Sequence, residues 1–339
     1  ENDTKLDLNL NFQRFNLGIL AKLGGDVLSN IRGYVSGDAK INGSVSNVNY
    51  SGKLLVDDAG MTIPYLNVDY AVRNNSVVRV TQNSFIIEPT KLFDTKFNTE
   101  GDLKGIIKHK QFGNWQLDLD LSSNKILALN TKDSEDAAYF GVAFIDGEAR
   151  ISGPTNALVI DVNAESKEGT SVKIPINNAD AVSDNDYIHF VTKNEKNNIP
   201  DPKVIKELNY NGLQMNFEFK ITPEADIEVI LDRESGHGMK GNGKGTMLFR
   251  INTLGDLNMW GDFAVYKGEY NFRYGGLINK KFKVSPSSYI AWEGNPYNAI
   301  LNLEAIYNTN ANPGVLLDNT SVNQKTPVDV VIGVKGTLT

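Results

Sequence analysis

The sequence predicts an all-β fold built from a long, one-sided sheet. The first observation is a two-residue alternation of apolar and polar side chains that recurs from one end of the chain to the other. The second is composition, because 40% of the 339 residues are hydrophobic and 30 are glycine, a balance typical of many short strands joined by turns. The third is the near absence of the three- and four-residue spacing of amphipathic helices.

The alternating segments each define one apolar and one polar face. Successive side chains of a strand point to opposite sides, so Leu117, Leu119 and Leu121 share one face. Asp118 and Asp120 share the other. The same pattern occurs in Lys5–Phe12, Leu158–Val162, Leu213–Ile221, Ile227–Leu231 and Leu301–Ala305. Each predicted strand therefore needs an apolar partner for one face only.

Helical spacing is confined to two short segments. Apolar residues three or four apart over Leu17–Ile31 predict a helix, which Gly24 and Gly25 weaken. A second short helix is predicted over Pro202–Leu208. The polar, mixed stretch Asn177–Pro202 predicts a loop insertion.

A weak internal repeat predicts one elongated unit. Gly37–Gly43 resembles Gly147–Gly153, and each is followed by a short linker and an alternating strand. Gly245–Gly255 is a looser third copy. Stacked repeats of this kind give quasi-one-dimensional folds. No Pro/Gly/Ser linker divides the chain, so we expect residues 1–260 to form a repeat region and residues 261–339 to be the C-terminal part of the same element.

The one-sided sheet leaves three architectures open. Its apolar face must be buried, and the chain has almost no helix to cover it. The sheet could close as a sandwich or barrel, wind into a β-helix, or curve into a trough filled by an apolar ligand. The alternation does not choose among these.

Composition argues against several classes of function. With three His and no Cys, Cys₄ and Cys₂His₂ zinc sites, disulfides and cysteine nucleophiles are excluded. The formal charge of −7 disfavours nucleic-acid binding, which needs a basic face. No run of about 18 apolar residues is present, so no membrane-spanning helix is predicted. The chain starts at Glu1 without an initiating Met and ends in a predicted strand, so we expect it to be a piece of a larger protein.

The candidate catalytic motifs have better structural explanations. Gly236–Gly241 matches G-x-G-x-x-G, but a strand pattern follows where a dinucleotide-binding fold needs a helix. A glycine-rich turn or bulge is therefore favoured. The carboxylate pairs Asp118/Asp120 and Asp226/Glu228 lie on the polar face of predicted strands. A solvated sheet face is the better explanation, because a catalytic carboxylate needs burial or close coupling to shift its pKa. We expect no catalytic residue, no metal site and no cofactor, and hence no enzyme.

The last third of the chain carries its most distinctive motifs. They are Gly268–Phe272, Lys281–Val284, Trp292–Pro296, Leu301–Tyr307 and the ending Pro327–Val330. This series resembles the C-terminal domain of the TamB family, the large AsmA-like periplasmic proteins of diderm bacteria. The family pattern is a Gly-x-Tyr-x-Phe hairpin, a Lys-Phe-x-Ile/Val strand, a Trp-x-Gly-(Asp/Asn)-Pro turn and a Leu-x-Leu-x-Ala-x-Tyr strand. Upstream segments that look like the version found in Bacteroidota are Phe112–Leu119, Tyr139–Ala143 and Gly169–Pro175.

The resemblance implies both a fold and a function. The fold would be an elongated β-taco, a bent, open half-pipe of sheet whose inner face is a continuous hydrophobic groove. The function would be that of the C-terminal part of a periplasmic bridge conducting phospholipid between the inner and outer membranes. Family proteins are held in the inner membrane by an N-terminal helix that this sequence does not contain. Their C-terminal end meets an Omp85-type outer-membrane barrel, TamA or its counterpart.

The groove residues follow from the alternation together with this resemblance. Removing an acyl chain of about 16 carbons from water gains on the order of 10 kcal/mol. The residues expected to contact acyl chains are Leu117, Leu119, Leu121, Leu158, Ile160, Val162, Leu213, Met215, Phe217, Phe219, Ile227, Val229, Leu231, Leu301 and Leu303. The residues expected to bind the partner are Val328, Val330, Ile332 and Val334.

Two other functions remain open. An assembly factor for outer-membrane β-barrel proteins would act through an unpaired edge strand near the C-terminus, by pairing with the barrel or a client. A structural β-helix, such as an adhesin passenger, would have a filled, dry interior and no barrel partner.

Overall fold

The described part of the chain forms one connected sheet. The computed structural model describes residues 5–23, 28–44, 47–134, 137, 139–175, 212–233, 236–252, 256–274, 278–312, 314 and 324–337. Within these ranges nearly every segment is a strand, and the strands are joined in a single 19-stranded sheet. The all-β prediction is confirmed.

The first half of the sheet is antiparallel throughout. Each strand from β1 to β3 pairs with the next, and β4 and β5 lie end to end between β3 and β6. Pairing then continues from β6 to β9. The strands are β1 (Lys5–Asn16), β2 (Ser29–Ser44), β3 (Asn47–Ile63), β4 (Val68–Val72), β5 (Ser76–Thr81), β6 (Ser84–Asp94), β7 (Glu100–Lys110), β8 (Gly113–Thr131) and β9 (Phe140–Pro154).

The second half extends the sheet from β9 to β19. Two strands again lie end to end at three positions: β10 with β11, β12 with β13, and β16 with β17. The strands are β10 (Ala157–Ser166), β11 (Ser171–Pro175), β12 (Gly212–Ile221), β13 (Asp226–Asp232), β14 (His237–Asn252), β15 (Leu257–Tyr274), β16 (Ile278–Val284), β17 (Tyr289–Gly294), β18 (Ile300–Ala311) and β19 (Thr326–Thr337).

The sheet contains one parallel step among its described pairings. Strand β10 runs parallel to β12, and β11 runs parallel to β13. A parallel pair cannot be joined by a hairpin and needs a longer connection. The connection between β11 and β12, residues 176–211, lies outside the described residues, as do the predicted loop Asn177–Pro202 and the predicted helix Pro202–Leu208.

The helix predicted over Leu17–Ile31 is wrong in its type and its length. Leu17–Leu23 forms a short 3₁₀ helix, and β2 has begun by Ser29. Glycines such as Gly24 and Gly25 each cost a helix about 1 kcal/mol, whereas residues from Ser29 onward gain cross-strand pairing with β3. The three- and four-residue spacing here reflects a short turn followed by a strand. No helix in the described ranges is long and apolar enough to cross a membrane.

The strands align the predicted apolar residues on one face, which we call the apolar face. Two rows of neighbouring side chains cross β8, β9, β10, β12, β14 and β15. The first row is Leu119, Ile151, Ile160, Met215, Ile251 and Leu257, and the second is Leu121, Ala149, Val162, Phe217, Phe249 and Met259. Cross-strand neighbours of this kind are the unit of sheet stabilisation. The alternation of each separate strand therefore adds up to a continuous apolar surface.

The apolar face packs into three clusters along the sheet. One cluster is centred on β4, β8 and β9 and contains Val68, Tyr70, Ile126 and Leu127. A second contains Leu158, Ile160, Leu213 and Met215. A third covers the C-terminal strands and contains Val229, Phe263, Ile290, Trp292 and Leu301. Each fully buried aliphatic or aromatic side chain contributes about 1.5–3 kcal/mol relative to exposure.

The sheet bends strongly between β4 and β8. The backbone N–H of Asn130 in β8 donates a 2.9 Å hydrogen bond to the carbonyl oxygen of Leu66, in the turn before β4. The Asn67 side chain donates another, of 2.5 Å, to the carbonyl oxygen of Asn130. Strands β6 and β7 lie between β4 and β8 in the pairing order, so the sheet curls to bring these segments together.

The glycine-rich motif at Gly236–Gly241 precedes and enters a strand. It leads into β14, which is bulged between Asn242 and Gly243 where it pairs with β15. A Cβ built on Gly243 would lie 2.6 Å from the ring of Phe263. The bulge lies just after the motif, and Gly243 makes room for a buried aromatic ring.

Candidate functional site

A cavity opens on the apolar face between the second and third clusters. Its volume is about 140 Å³, and its lining is almost entirely apolar. The side chains come from β8 to β15 and from two segments that precede strands. The lining residues are Leu66, Ala128, Leu129, Tyr139, Ala143, Ile145, Val162, Val172, Ile174, Phe217, Phe219, Phe249, Ile251, Leu257 and Met259.

The register of the strands brings this lining together. Val162, Phe217 and Phe249 are direct cross-strand neighbours, so their side chains form one wall. In β8 the pairing with β9 shifts between Leu127 and Leu129, and Leu129 then lies opposite Ala143. A bulge re-aims side chains locally, and both Ala128 and Leu129 line the cavity here. The small side chains of alanine leave the empty space.

A neutral hydrogen bond joins the cavity residue Tyr139 to Tyr65. Tyr65, in the turn before β4, and Tyr139, before β9, are joined through their side chains. Burial raises the pKa of both phenols, so both remain protonated at neutral pH. The adjacent turn is held by the bond from Asn130 to Leu66 described above. The two tyrosines therefore add no charge to the apolar interior of the cavity.

Three of the predicted groove residues line the cavity: Val162, Phe217 and Phe219. The others lie on the same face but pack against neighbouring side chains. Leu158, Ile160, Leu213 and Met215 belong to the second cluster, with Leu117 packed against it. Leu119 and Leu121 pack against the first cluster. Ile227, Val229, Leu301 and Leu303 belong to the third, with Leu231 packed against it.

The remaining cavity residues were not predicted from the sequence. Phe249 and Ile251 alternate with the polar Arg250 and Asn252, and this short two-residue pattern could have identified them, although the apolar Leu248 interrupts it. Ala128 and Leu129 come from the continuous apolar run Ile126–Leu129, where alternation carries no signal about the face. Leu66 and Tyr139 lie outside strands, so only the bend of the sheet brings them to the site.

A larger concavity lies on the opposite, polar face. Its volume is about 1200 Å³, and its lining includes Lys104, Asp120, Glu148, Asp161 and Arg250. Charged groups of both signs must stay hydrated or paired, so this surface is unsuited to burying an apolar ligand.

Three of the four carboxylates singled out in the sequence, Asp118, Asp226 and Glu228, form surface ion pairs or hydrogen bonds. Asp118 accepts a 2.9 Å contact from Arg150, and Glu228 lies 3.0 Å from Lys173. Asp226 accepts a 2.8 Å hydrogen bond from Asn242. Within the described ranges, no three His, Asp or Glu side chains are grouped to hold a metal ion.

The predicted partner-binding residues all lie on the edge strand β19. This strand pairs with β18 and with no other strand of the described ranges. Val328, Val330, Ile332 and Val334 lie opposite Thr309, Tyr307, Ala305 and Leu303, respectively. Val330 is 42% exposed and Val331, on the other face, is 56% exposed. An exposed apolar edge of this kind is a template for pairing with another chain.

Comparison with known proteins places most of this sheet in one family. A family model described as the TamB C-terminal domain matches residues 90–339, from within β6 to the end of the chain. No curated protein and no solved structure matches the chain. The matched region contains the lining strands of the cavity and the edge strand β19, and the chain belongs to the TamB family.

Proposed function

We propose that the apolar face conducts phospholipid acyl chains along the sheet and that the chain catalyses no reaction. The observation that carries this proposal is the cavity of about 140 Å³ with an almost wholly apolar lining. Apolar cavities of about 150 Å³ stay dry and take up small hydrocarbon molecules. Part of an acyl chain is the natural occupant of such a space in a lipid-rich envelope.

The energetics favour an acyl chain that slides along the apolar face over one that leaves this face for water. Each CH₂ group that leaves water gains about 0.8 kcal/mol. Because the rows of apolar side chains continue across β8 to β15, a chain can exchange one set of contacts for the next without full exposure to water. Head groups would remain in solvent at the open side. No titratable group is needed for any step.

The family is associated with the cell envelope, which supports a periplasmic role. In this proposal the chain is the C-terminal part of a bridge between the inner and outer membranes. Its inner-membrane end would be anchored by a segment that precedes this sequence. Its C-terminal end would dock on an Omp85-type, TamA-like barrel in the outer membrane, through β19.

Extraction of lipid from the purified chain tests this function. The chain, expressed in a diderm host and purified without detergent, should retain phospholipid detectable by native mass spectrometry. The lipid should be displaced by a competing fatty acid. A chain that is folded by circular dichroism yet free of lipid in the same assay would contradict the proposal and favour a dry, structural β protein.

A second candidate function rests on the exposed edge. Strand β19 could assemble outer-membrane β-barrel proteins by pairing with a client or a barrel strand. Its unpaired side and the exposure of Val330 and Val331 favour this activity. A crosslinker at Val331 that captures a nascent barrel protein, with no lipid captured in the groove, would favour assembly over lipid transport.

A further inference from the structure

Aromatic side chains cluster where the apolar face reaches one long edge of the sheet. They are Tyr50, Phe85, His109, Phe112 and Trp115, and we call them the aromatic lip. The Phe112 ring stacks on His109 at 4.6 Å and meets Tyr50 edge-on at 5.1 Å. Phe85 stacks on Trp115 at 6.1 Å. The apolar face therefore ends at this edge in a continuous set of rings.

Phe112 is the most prominent member of the lip. It lies at the tip of the β7–β8 hairpin and is 48% exposed. Gln111 and Phe112 have φ of 51° and 57°, in the left-handed region where non-glycine residues are uncommon. A two-residue hairpin turn with positive φ at both positions usually carries Asn-Gly or Asp-Gly. Local strain that holds an exposed aromatic ring in place points to a functional role.

Two lysines lie beside the lip. Lys108 and Lys110 are exposed on the same hairpin, and neither forms an ion pair with a residue that the structure describes. Residues 77–87, 105–117 and 151–154, the parts of β5 to β9 that lie at this edge, contain no Asp or Glu, although the whole chain has a net charge of −7. Asp7 of β1 also lies at this edge, and its carboxylate is paired with Lys40 at 3.0 Å.

A second exposed phenylalanine lies at the opposite edge of the same strands. Phe97 is in the turn between β6 and β7, where the buried carboxylate of Asp94 accepts its backbone N–H and the Lys96 ammonium lies 5.1 Å from its ring. Phe97 is 47% exposed, nearly the same as Phe112. Its ring meets that of Phe144 edge-on and lies outside the aromatic lip.

We propose that the aromatic lip, together with Lys108 and Lys110, docks on the surface of an anionic lipid bilayer. Aromatic rings favour the membrane–water interface, and each lysine near an anionic surface adds to binding. Lysines alone would suit any polyanion, but the exposed ring gains only where it can leave water, which favours a bilayer. This proposal goes beyond the conduction of lipid by the groove and holds whether or not the groove conducts.

Vesicle flotation with the 339-residue chain tests the proposal. The chain should float with vesicles of equal parts phosphatidylglycerol and phosphatidylcholine, and not with phosphatidylcholine alone. Lys108→Gln and Lys110→Gln should each weaken binding about fivefold. Phe112→Ser should weaken it about tenfold. Surface Lys→Gln variants keep the fold, so their loss of binding cannot be ascribed to unfolding.

Phe97→Ser is the matched control, because it removes an equally exposed ring from the edge opposite the aromatic lip. It should leave vesicle binding unchanged. Weakening by Phe97→Ser equal to that of Phe112→Ser would overturn the proposal. So would binding to a soluble polyanion such as dextran sulfate as tight as that to vesicles, with Phe112→Ser without effect, because the site would then be a general polyanion surface. Lipid extraction from the groove is a separate readout and would be unaffected by these variants.

Discussion

The hydroxyl of Tyr70 donates a 2.7 Å hydrogen bond to the carbonyl oxygen of Leu127, across two intervening strands of the sheet. Tyr70 is 6% exposed and Leu127 is 1% exposed. Burial, reinforced by the charge of Asp94, raises the pKa of the Tyr70 phenol, which keeps the donor proton in place. The bond ties β4 to β8 and so fixes the bend that shapes one end of the cavity.

Tyr70→Phe should therefore lower the free energy of unfolding by about 1–3 kcal/mol, because it leaves a buried carbonyl oxygen without a donor. Chemical denaturation measures the change. Tyr266→Phe is the control, since Tyr266 is 49% exposed, and its effect should stay within about 0.5 kcal/mol. Equal effects of the two substitutions would show that the bond does not hold the bend.

The carboxylate of Asp69 provides a pH-dependent tie in the same region. Arg32 donates hydrogen bonds of 2.8 and 2.7 Å to its two oxygens, and Thr62 adds one of 2.7 Å. Burial opposes ionisation, but hydrogen bonds from Arg32, Thr62 and Thr95 outweigh it and lower the pKa of Asp69 below its ordinary 3.8. The stabilisation is therefore present above that pH and is lost as the pH falls through the lower, folded-state value.

Asp69→Asn should destabilise the chain by about 1–2 kcal/mol at neutral pH, and the difference from the parent should shrink as the pH is lowered below the ordinary carboxyl value. Denaturation at a series of pH values measures this difference. Asp7→Asn removes an exposed ion pair with Lys40 and should change stability by less than about 0.5 kcal/mol. A difference between Asp69→Asn and the parent that stays constant with pH would contradict the assignment.

Alternation in the sequence was enough to predict the faces of the strands, but not the bend. Leu119, Ile160 and Met215 come from three separate segments and meet in one row, because a period of two fixes the face of each. The contact between Tyr70 and Leu127 depends on how far the whole sheet curls, and no local pattern encodes that. Cavity residues such as Leu66 and Tyr139 were missed for the same reason.

The helix predicted over Leu17–Ile31 is a case in which a local sequence pattern was present but the structure did not follow it. Its spacing satisfied a local rule, but pairing with β3 decided the structure from Ser29 onward. Tertiary pairing overrides a weak helical pattern that contains two glycines.

Alanine substitution of two glycines tests the close packing in β14. Gly243 lies in β14, and Gly333, in β19, is the control. A Cβ on Gly243 would lie 2.2 Å from the carbonyl oxygen of Ala264, whereas one on Gly333 would meet nothing within 4 Å. Gly243→Ala should destabilise by about 1–3 kcal/mol through overpacking. Gly333→Ala should be neutral or stabilising by up to about 1 kcal/mol. Thermal unfolding of the two variants separates these outcomes, and similar values for both would contradict the packing described for Phe263.

Filling the cavity should block lipid without harming the fold. Ala128 lines the cavity, so Ala128→Phe would occupy the space with a ring. We expect the co-purified phospholipid to fall severalfold, while the free energy of unfolding falls by about 1–3 kcal/mol, the usual cost of a small-to-large change. Ala291→Phe on the polar face is the control and should leave lipid content unchanged. Loss of lipid in both variants, or in neither, would argue against the cavity as the lipid site.

Site-specific photocrosslinking at Phe219 and Lys220 tests the central claim most directly. These neighbours lie on opposite faces of β12: Phe219 lines the cavity, and the Lys220 side chain is 67% exposed. With a photoreactive residue at each position of the chain in a diderm host, phospholipid adducts should form at position 219 and not at 220. Adducts at 220 alone, or at neither position in a folded chain, would contradict conduction of lipid along the apolar face.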